Sequence, residues 1–226
     1  MPSLSKAGRP GSRGEPEKTR AAILDAALEE FAHEGEAGAR TDEIARRAGV
    51  NKALLYYYFK DKEGLYAAAL EQVFSGLHAR VMRVLSDTSL PPRARLLKYA
   101  EAHFDYIASA PVYPRLVQRE FMRSVGRTLS PAANRVFEKY GKEIYMRLRD
   151  LIRRGIESGE FRQLDPAQAV TSMLGIIAFY FISLPAQRAM NPGDPSSPER
   201  IAARRAAVLD FISAAMFLKR EESRHA

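Results

Sequence analysis

The stretch TDEIARRAGVNKALLYYYFKDKEGL, which begins at Thr41, constrains the fold of this chain more than any other segment. Thr41 can cap a helix whose first turn holds two carboxylates, and Gly49 can end that helix in a left-handed conformation. Asn51 can cap a second helix, in which Leu55 and Phe59 recur at i and i+4 and point inward. Two short helices joined by a turn that contains Gly form a helix-turn-helix, so the sequence predicts this motif.

The same stretch resembles the DNA-binding domain of the tetracycline-repressor (TetR) family of bacterial transcription regulators. The matching residues lie on both helices and at the start of the next one: Thr41, Ile44, Ala45, Ala48, Gly49, Val50, Leu55, Tyr56, Tyr57, Tyr58, Phe59, Lys60, Asp61, Lys62, Glu63 and Leu65. The preceding helix matches at Ile23, Leu24, Ala26, Ala27 and Phe31, followed by Gly35. The resemblance covers roughly residues 19–70, and beyond it the chain is similar to the family only in length and helical pattern.

The resemblance implies an all-α fold, with an N-terminal three-helix helix-turn-helix domain and a C-terminal helical ligand-binding and dimerisation domain. It also implies that helix 4 links the two. The chain departs from the family pattern at three positions of the second helix. Asn51 stands where Ser or Thr is commoner, Ala53 where Gly is common, and Tyr58 where His is common.

The start of the second helix of the motif supplies candidates for base recognition. Lys52 can donate to guanine O6 and N7, Asn51 can pair with adenine, and the Ala53 methyl suits a thymine methyl. Asn51 can also serve as the helix cap, which is compatible with that role. The resemblance implies phosphate contacts by Thr41, Tyr56, Tyr57 and Lys62, although Tyr56 could equally pack on helix 1. The predicted DNA-contact set is Thr41, Asn51, Lys52, Ala53, Tyr56, Tyr57, Tyr58 and Lys62.

Net charge gives weaker support for DNA binding than the value of +8 indicates. Residues 1–65 hold eleven Lys or Arg and eleven Asp or Glu, so the whole excess lies after them. Within this neutral segment, residues 46–62 form a locally basic cluster, since their five cations are opposed only by Asp61. The prediction of DNA binding therefore rests on this cluster and on the motif.

The residues that enzymes and metal sites require do not form the usual patterns here. The chain has no Cys, and its four His (His33, His78, His103 and His225) lack metal-ligand spacing. Glu101 and Asp105 lie one turn apart, but Lys98 beside them favours a solvated face. There is no Gly-rich phosphate loop and no nucleophile elbow. We predict a protein that is not an enzyme, has no cofactor or metal, and, lacking Cys, works in the cytoplasm.

Composition indicates a disordered basic tail over residues 1–16. The motif and the resemblance imply a DNA-binding domain over 17–64 and a ligand-binding and dimerisation domain over 65–226. In the tail, Gly8-Arg9-Pro10 could enter an A·T minor groove, but a solvated tail is the simpler interpretation. The tail has no apolar run, so we expect no signal peptide. Residues 167–185 form the one apolar run of nearly membrane length, and their polar side chains favour a buried interface helix.

About nine helices are predicted in all. Helix 1 runs over about residues 17–33, and helix 4 starts near Lys62 and continues to about residue 87. Pro91-Pro92 opens a helix to about residue 109, and a short one follows over about 113–123. Ser130-Pro131, Asp165-Pro166 and Ser197-Pro198 each place a capping side chain before a Pro at the first helical position. They open helices over about 131–157, 166–184 and 198–219.

The C-terminal half is rich in aromatic residues, most of which we expect to be core. A minority is predicted to line a ligand cavity with one or two polar groups: Tyr99, His103, Ile107, Phe121, Tyr140 and Phe179. The helices over 166–184 and 198–219 are predicted to form a four-helix dimer interface. Its small-residue groove and aromatic knob would come from Ser172, Gly175, Ile176 and Phe179.

We therefore expect a ligand-responsive, DNA-binding transcription regulator that acts as a repressor rather than as an activator. It would bind a palindromic double-stranded DNA operator as a homodimer, without membrane association, and be released by a small, mainly apolar effector. The alternative from another class is a helical small-molecule-binding or interaction protein without DNA function.

Overall fold

The computed structural model describes residues 15–218. Residues 1–14 of the expected tail, with Gly8-Arg9-Pro10 among them, lie outside the described residues. The fold is all-α, as predicted, and residues 15–218 hold no strand beyond one isolated bridge between Phe161 and Phe217. The α-helices are α1 (Pro16–Gly38), α2 (Thr41–Ala48), α3 (Lys52–Phe59), α4 (Lys62–Leu85), α5 (Pro92–Ser109), α6 (Val112–Arg123), α7 (Pro131–Val136), α8 (Lys142–Glu157), α9 (Pro166–Ile182), α10 (Leu184–Met190) and α11 (Pro198–Met216).

The first of two compact units contains α1 to α3, the part of α4 up to Val73, and Arg115–Val136. Its core is apolar and nearly fully buried, formed by Ile23, Ala27, Phe31, Ile44, Leu55, Leu65 and Leu70. Tyr66 is buried as well and lies edge-on to Phe31, with the ring centroids 5.0 Å apart. This unit extends beyond residues 17–64, which the motif and the resemblance assign to a DNA-binding domain.

The second compact unit contains Phe74–Pro114 and the chain from Phe137 onward. Helix α5 lies at its centre, with Leu96, Tyr99, Phe104 and Ile107 almost fully buried. Further core residues come from α8, α9 and α11: Leu148, Ile152, Val170, Met173, Ile177, Val208 and Ile212.

The predicted capping device is present at all three helix starts. Asp165 Oδ1 accepts the Gln168 backbone N–H at 2.8 Å, and Ser197 Oγ accepts that of Arg200 at 3.3 Å. Ser130 Oγ accepts the Ala133 backbone N–H at 3.1 Å. The first N–H groups of a helix have no partner within the helix, and each of these bonds satisfies one of them. The Pro at the first helical position has no N–H group and so needs no partner.

Two elements differ from the predicted helices. The helix expected over 131–157 is interrupted by a π-helical turn, Phe137–Gly141. A Cβ at Gly141 would lie 2.6 Å from the Phe137 ring, so a larger residue there would have to displace that exposed ring. The chain also forms the short helix Leu184–Met190, in which Pro185 is the second residue and Ser183 makes no side-chain capping bond.

Helix α4 contacts α5 closely at Gly76, within the second unit. A Cβ at this position would lie 2.6 Å from the Tyr106 hydroxyl oxygen. The Leu77 backbone forms a hydrogen bond with the same hydroxyl. Gly in the interior of a helix is unfavourable by about 1 kcal/mol relative to Ala, and here it gives the tyrosine its space.

Among residues 15–218, no single helix is long and apolar enough to cross a membrane. Only the pair Pro166–Ile182 and Leu184–Met190, bent by 63°, meets the length and composition criteria together.

Candidate nucleic-acid interface

The turn between α2 and α3 has the geometry that the sequence predicts. Gly49 adopts φ 68° and ψ 28°, the left-handed conformation that ends α2. The Val50 backbone N–H then donates to the Ala45 carbonyl at 3.0 Å, which closes the turn. Asn51 caps α3, since its Oδ1 accepts the Leu54 backbone N–H at 2.8 Å.

Helix α3 presents one buried and one exposed face. Leu55 and Phe59 are buried in the core of the first unit, as predicted from their spacing. Lys52 and Ala53 are exposed, and Tyr57 keeps 79 % of its surface. A short helix with this outward face, following a Gly-containing turn, has the shape and chemistry of a helix that enters a major groove.

Thr41 and Tyr56 are joined by their side chains. The two hydroxyl oxygens lie 3.2 Å apart, with Thr41 buried and Tyr56 partly exposed. The bond holds the start of α2 against the middle of α3. The prediction that Thr41 caps α2 is wrong, since Thr41 is the first helical residue and the cap position, Arg40, makes no side-chain capping bond. Tyr58 is half-buried, and its ring lies edge-on to that of Tyr57 at 5.3 Å.

The two lysines that flank the turn into α4 are in different situations. Lys62 donates from Nζ to the Ala37 carbonyl at 3.0 Å, near the C-terminal end of α1, where a cation is favoured. Lys60 adopts φ 63°, the only non-Gly positive φ among residues 15–218. It is exposed, and the described part of the chain offers it no ion-pair partner.

Lys52 forms an ion pair with Asp42 that the sequence analysis did not anticipate. Its Nζ lies 2.9 Å from Asp42 Oδ1 and 3.1 Å from Oδ2, and the hydrogen bond raises the pKa of Lys52. Ten residues separate the two in sequence, and only the turn brings them together.

Glu43 forms ion pairs with two more cations of the basic cluster, Arg46 and Arg47. It accepts hydrogen bonds from Arg46 at 2.6 Å and from Arg47 at 2.8 Å, which lower the pKa of Glu43 to about 2. Arg47 also lies 3.5 Å from Glu30. The i, i+3 and i, i+4 spacing could have revealed these pairs. Three of the five cations expected to stand almost unopposed between residues 46 and 62 are therefore paired with Asp42 or Glu43, which lie just before that window.

Comparison with known proteins identifies the family. The family model for bacterial regulatory proteins of the tetR family matches residues 23–69. The model for the tetracyclin repressor-like C-terminal domain matches residues 92–212, more than half of the chain. The chain belongs to the TetR family. It is a DNA-binding transcription regulator, as predicted from the motif.

Individual relatives support this assignment. The HTH-type transcriptional repressor SCO4008 of Streptomyces coelicolor is 32 % identical over 171 residues, which cover 76 % of this chain and 82 % of that protein. The HTH-type transcriptional activator FasR of Mycolicibacterium smegmatis is 40 % identical over 99 residues, 44 % of this chain and 45 % of that one. The crystal structure of the regulator SCO4942 from Streptomyces coelicolor has a TM-score of 0.64 at 28 % identity, covering 87 % of this chain and 97 % of its own.

In the second unit of this TetR-family protein, α5 brings three of the expected ligand residues to one buried face. Tyr99, His103 and Ile107 are each at least nine-tenths buried, and the Tyr99 hydroxyl lies 2.9 Å from His103 Nδ1. Burial lowers the pKa of His103 to about 4, so the imidazole is neutral at pH 7.

The other three expected ligand residues are not part of this face. Tyr140 is half-buried on the π-helical turn, beside His78 with the ring centroids 5.5 Å apart. Phe121 lies in the first unit and keeps 60 % of its surface, while Phe179 keeps 64 %. A residue so exposed does not line a closed cavity, so Phe121 and Phe179 leave the proposed ligand set. Helical spacing could not reveal the exposure of these two side chains, because spacing does not show which face of a helix packs against the rest of the protein.

The stripe expected at a dimer interface lies on the open face of α9. Ser172, Gly175 and Phe179 are exposed, Ile176 is half-buried, and no atom lies within 4 Å of a Cβ built at Gly175. Helix α11 presents a similar surface, on which Phe211 keeps 57 % of its area.

Proposed function

We propose that this TetR-family chain is a cytoplasmic homodimeric repressor that binds a palindromic operator and is released by a small, mainly apolar effector. The observation that supports DNA reading is the outer face of α3. There Lys52, Ala53 and Tyr57 project from a helix whose inner face, with Leu55 and Phe59, is fixed in the core.

Within this face the residues take two kinds of role. Lys52 and Asn51, at the N-terminal end of α3, read base edges, and Ala53 contacts a thymine methyl. Tyr57, Tyr58 and Lys62 contact phosphates, which set register without reading sequence. Thr41 and Tyr56 join them as a hydroxyl pair in which each group orients the other.

Dimerisation is supported by the exposed faces of α9 and α11. Two large aromatic side chains, Phe179 and Phe211, are open to solvent there, beside the small residues Ser172 and Gly175. Packing these faces across a two-fold axis would bury them. Two copies of α3 would then reach successive major grooves about 34–36 Å apart.

The effector proposal rests on Tyr99 and His103. Both are buried among apolar residues, and a neutral imidazole bonded to a phenol favours uncharged ligands over ions. We therefore propose an apolar effector with one neutral hydrogen-bonding group. The relative SCO4008, which matches 76 % of this chain, is named a repressor. We therefore propose repression for this chain, with the effector acting by releasing the operator.

The experiment is a selection from sheared genomic DNA of the source organism, with wild-type protein and Tyr57→Ala compared with Glu29→Gln. Glu29 is exposed on α1, so its change leaves the α3 face intact. Wild type and Glu29→Gln should enrich one palindrome, and Tyr57→Ala should retain it more weakly. Failure of wild type to enrich any fragment would favour the alternative, a helical ligand-binding protein without DNA function.

A further inference from the structure

Three of the five cations between residues 46 and 62 have carboxylate partners. Lys52 is paired with Asp42, and Arg46 and Arg47 are paired with Glu43. Non-specific DNA binding arises almost entirely from cations that neutralise phosphates and release counterions. A cation that already has a carboxylate partner, such as Lys52, is therefore less available to the phosphates of arbitrary DNA than Lys62, whose bond is to a backbone carbonyl.

From the geometry we infer that Asp42 is a specificity-determining residue, which directs Lys52 toward neutral base acceptors and away from phosphates. This inference rests on the proposed reading of DNA by α3. Asp42 was not among the predicted contact residues, and its role follows from the carboxylate that lies 2.9 Å from the Lys52 ammonium.

The donor inventory of lysine explains the selectivity. An ammonium group has three N–H donors, and Asp42 engages it with both carboxylate oxygens, leaving at least one donor free. Guanine O6 and N7 carry only partial negative charge, so they can share the ammonium with Asp42 at much less repulsion than a charged phosphate would meet. A phosphate oxygen in the same place would lie near a second anion, and like charges at such distances repel.

The exposure of the pair allows this sharing. The Lys52 and Asp42 side chains keep 45 % and 64 % of their surface, so the ion pair is solvated and weak enough to rearrange. Asp42 also lies in the first turn of α2, where the helix dipole favours a carboxylate.

The test compares wild type with Asp42→Asn, which keeps the shape and removes the charge, and with Glu29→Gln, which removes one charge from α1. Fluorescence anisotropy measures binding to the operator recovered by genomic selection and to a scrambled duplex of equal composition, between 50 and 200 mM salt. For Asp42→Asn we expect roughly threefold to tenfold tighter binding to the scrambled duplex, with a salt slope steeper by about 1. Operator affinity should change less, so the specificity ratio should fall.

Glu29→Gln should change both duplexes equally and leave the ratio as in wild type. In the Lys52→Ala background, Asp42→Asn should no longer change the ratio, since Asp42 acts through Lys52. Equal gains on both duplexes, or a result matching Glu29→Gln, would overturn the inference while leaving the proposed function intact. Absence of any selected operator would instead overturn the proposed function and this inference with it.

Discussion

The Tyr66 hydroxyl donates a 2.9 Å hydrogen bond to Oε2 of Glu120, a carboxylate buried within the first compact unit. The same carboxylate accepts from Arg123 at 2.9 Å and from the Ser130 backbone N–H at 2.9 Å. It therefore joins α4, α6 and the segment before α7. The residues that hold the DNA-binding helices thus include part of the chain that matches the C-terminal family model.

Glu120→Ala should destabilise the protein by about 3 kcal/mol, because the buried Tyr66 hydroxyl, the buried Ser130 N–H and the exposed Arg123 guanidinium lose their acceptor. Urea unfolding followed by circular dichroism measures the change. Gln118→Ala, at an exposed position of the same helix, is the control and should stay within about 0.5 kcal/mol of wild type. Similar stability of both variants would show that the carboxylate is dispensable.

The same carboxylate also predicts a dependence on acid. Burial raises the pKa of Glu120, but hydrogen bonds from Ser130, Arg123 and Tyr66 outweigh this and hold it below its usual value. The stability it contributes is therefore present above the unfolded pKa and lost as pH falls through the lower folded pKa. Glu120→Gln should flatten the decline in urea midpoint between pH 5 and pH 3, and parallel curves would contradict the assignment.

His103 predicts a second dependence, in a higher pH window. The pKa of its buried imidazole falls to about 4, whereas the unfolded residue titrates near 6.5. The unfolded chain binds more protons between these values, so stability should fall as pH drops, by about 1.4 kcal/mol per unit at most. His103→Gln, which can still bond to Tyr99, should lose less stability between pH 6.5 and pH 5. Equal losses would mean that the imidazole protonates freely in the folded state.

Two lysines should separate base reading from phosphate contact. Lys52→Ala should weaken operator binding by about 1–3 kcal/mol and scarcely change binding to random DNA. Lys62→Ala should weaken both and lower the salt slope by about 1. Anisotropy titrations at several salt concentrations measure all of these values. If the two variants behave alike on both duplexes, the proposed division of roles is incorrect.

Gly175→Arg should convert the dimer into a monomer. The position is open in the single chain, so the new side chain fits without disturbing the fold, but a charge would be buried against a partner. Size-exclusion chromatography with light scattering gives the mass, and Gln118→Arg adds the same charge at an exposed site on α6 as a control. A dimeric mass with unchanged operator affinity would move the interface elsewhere.

The effector should act through the Tyr99–His103 pair. A small-molecule library is screened by thermal shift, and hits are titrated against labelled operator in wild type and His103→Ala. Hits should release operator from wild type and act more weakly on the variant. By linkage, operator should weaken ligand binding by the same factor. Hits that stabilise the protein without affecting operator binding would separate the ligand site from regulation.

Local features of the fold were predictable because their causes are local. Gly49, Asn51 and the three Pro-led helix starts act within a few residues, and the structure confirms each of them. The π-helical turn was not predictable, since it depends on the Phe137 ring filling the space over Gly141.

The candidate site was predictable only in part, for the same reason. The outward position of Lys52 follows from helical spacing, but its pairing with Asp42 spans ten residues and requires the folded turn. Phe121 was expected to line a cavity because it lies in a segment rich in aromatic residues, but its side chain is exposed. Nothing in the local sequence indicated that exposure.

The close approach of Gly76 to the Tyr106 hydroxyl has an evolutionary consequence. Because even a methyl group at position 76 would overlap the phenol, Gly76 cannot be replaced while Tyr106 keeps its place, whereas Tyr106 can be shortened first. Among descendants of this sequence, a larger residue at 76 should appear together with a shorter one at 106. The lineage should lose the tyrosine before, or at the same time as, it loses the glycine.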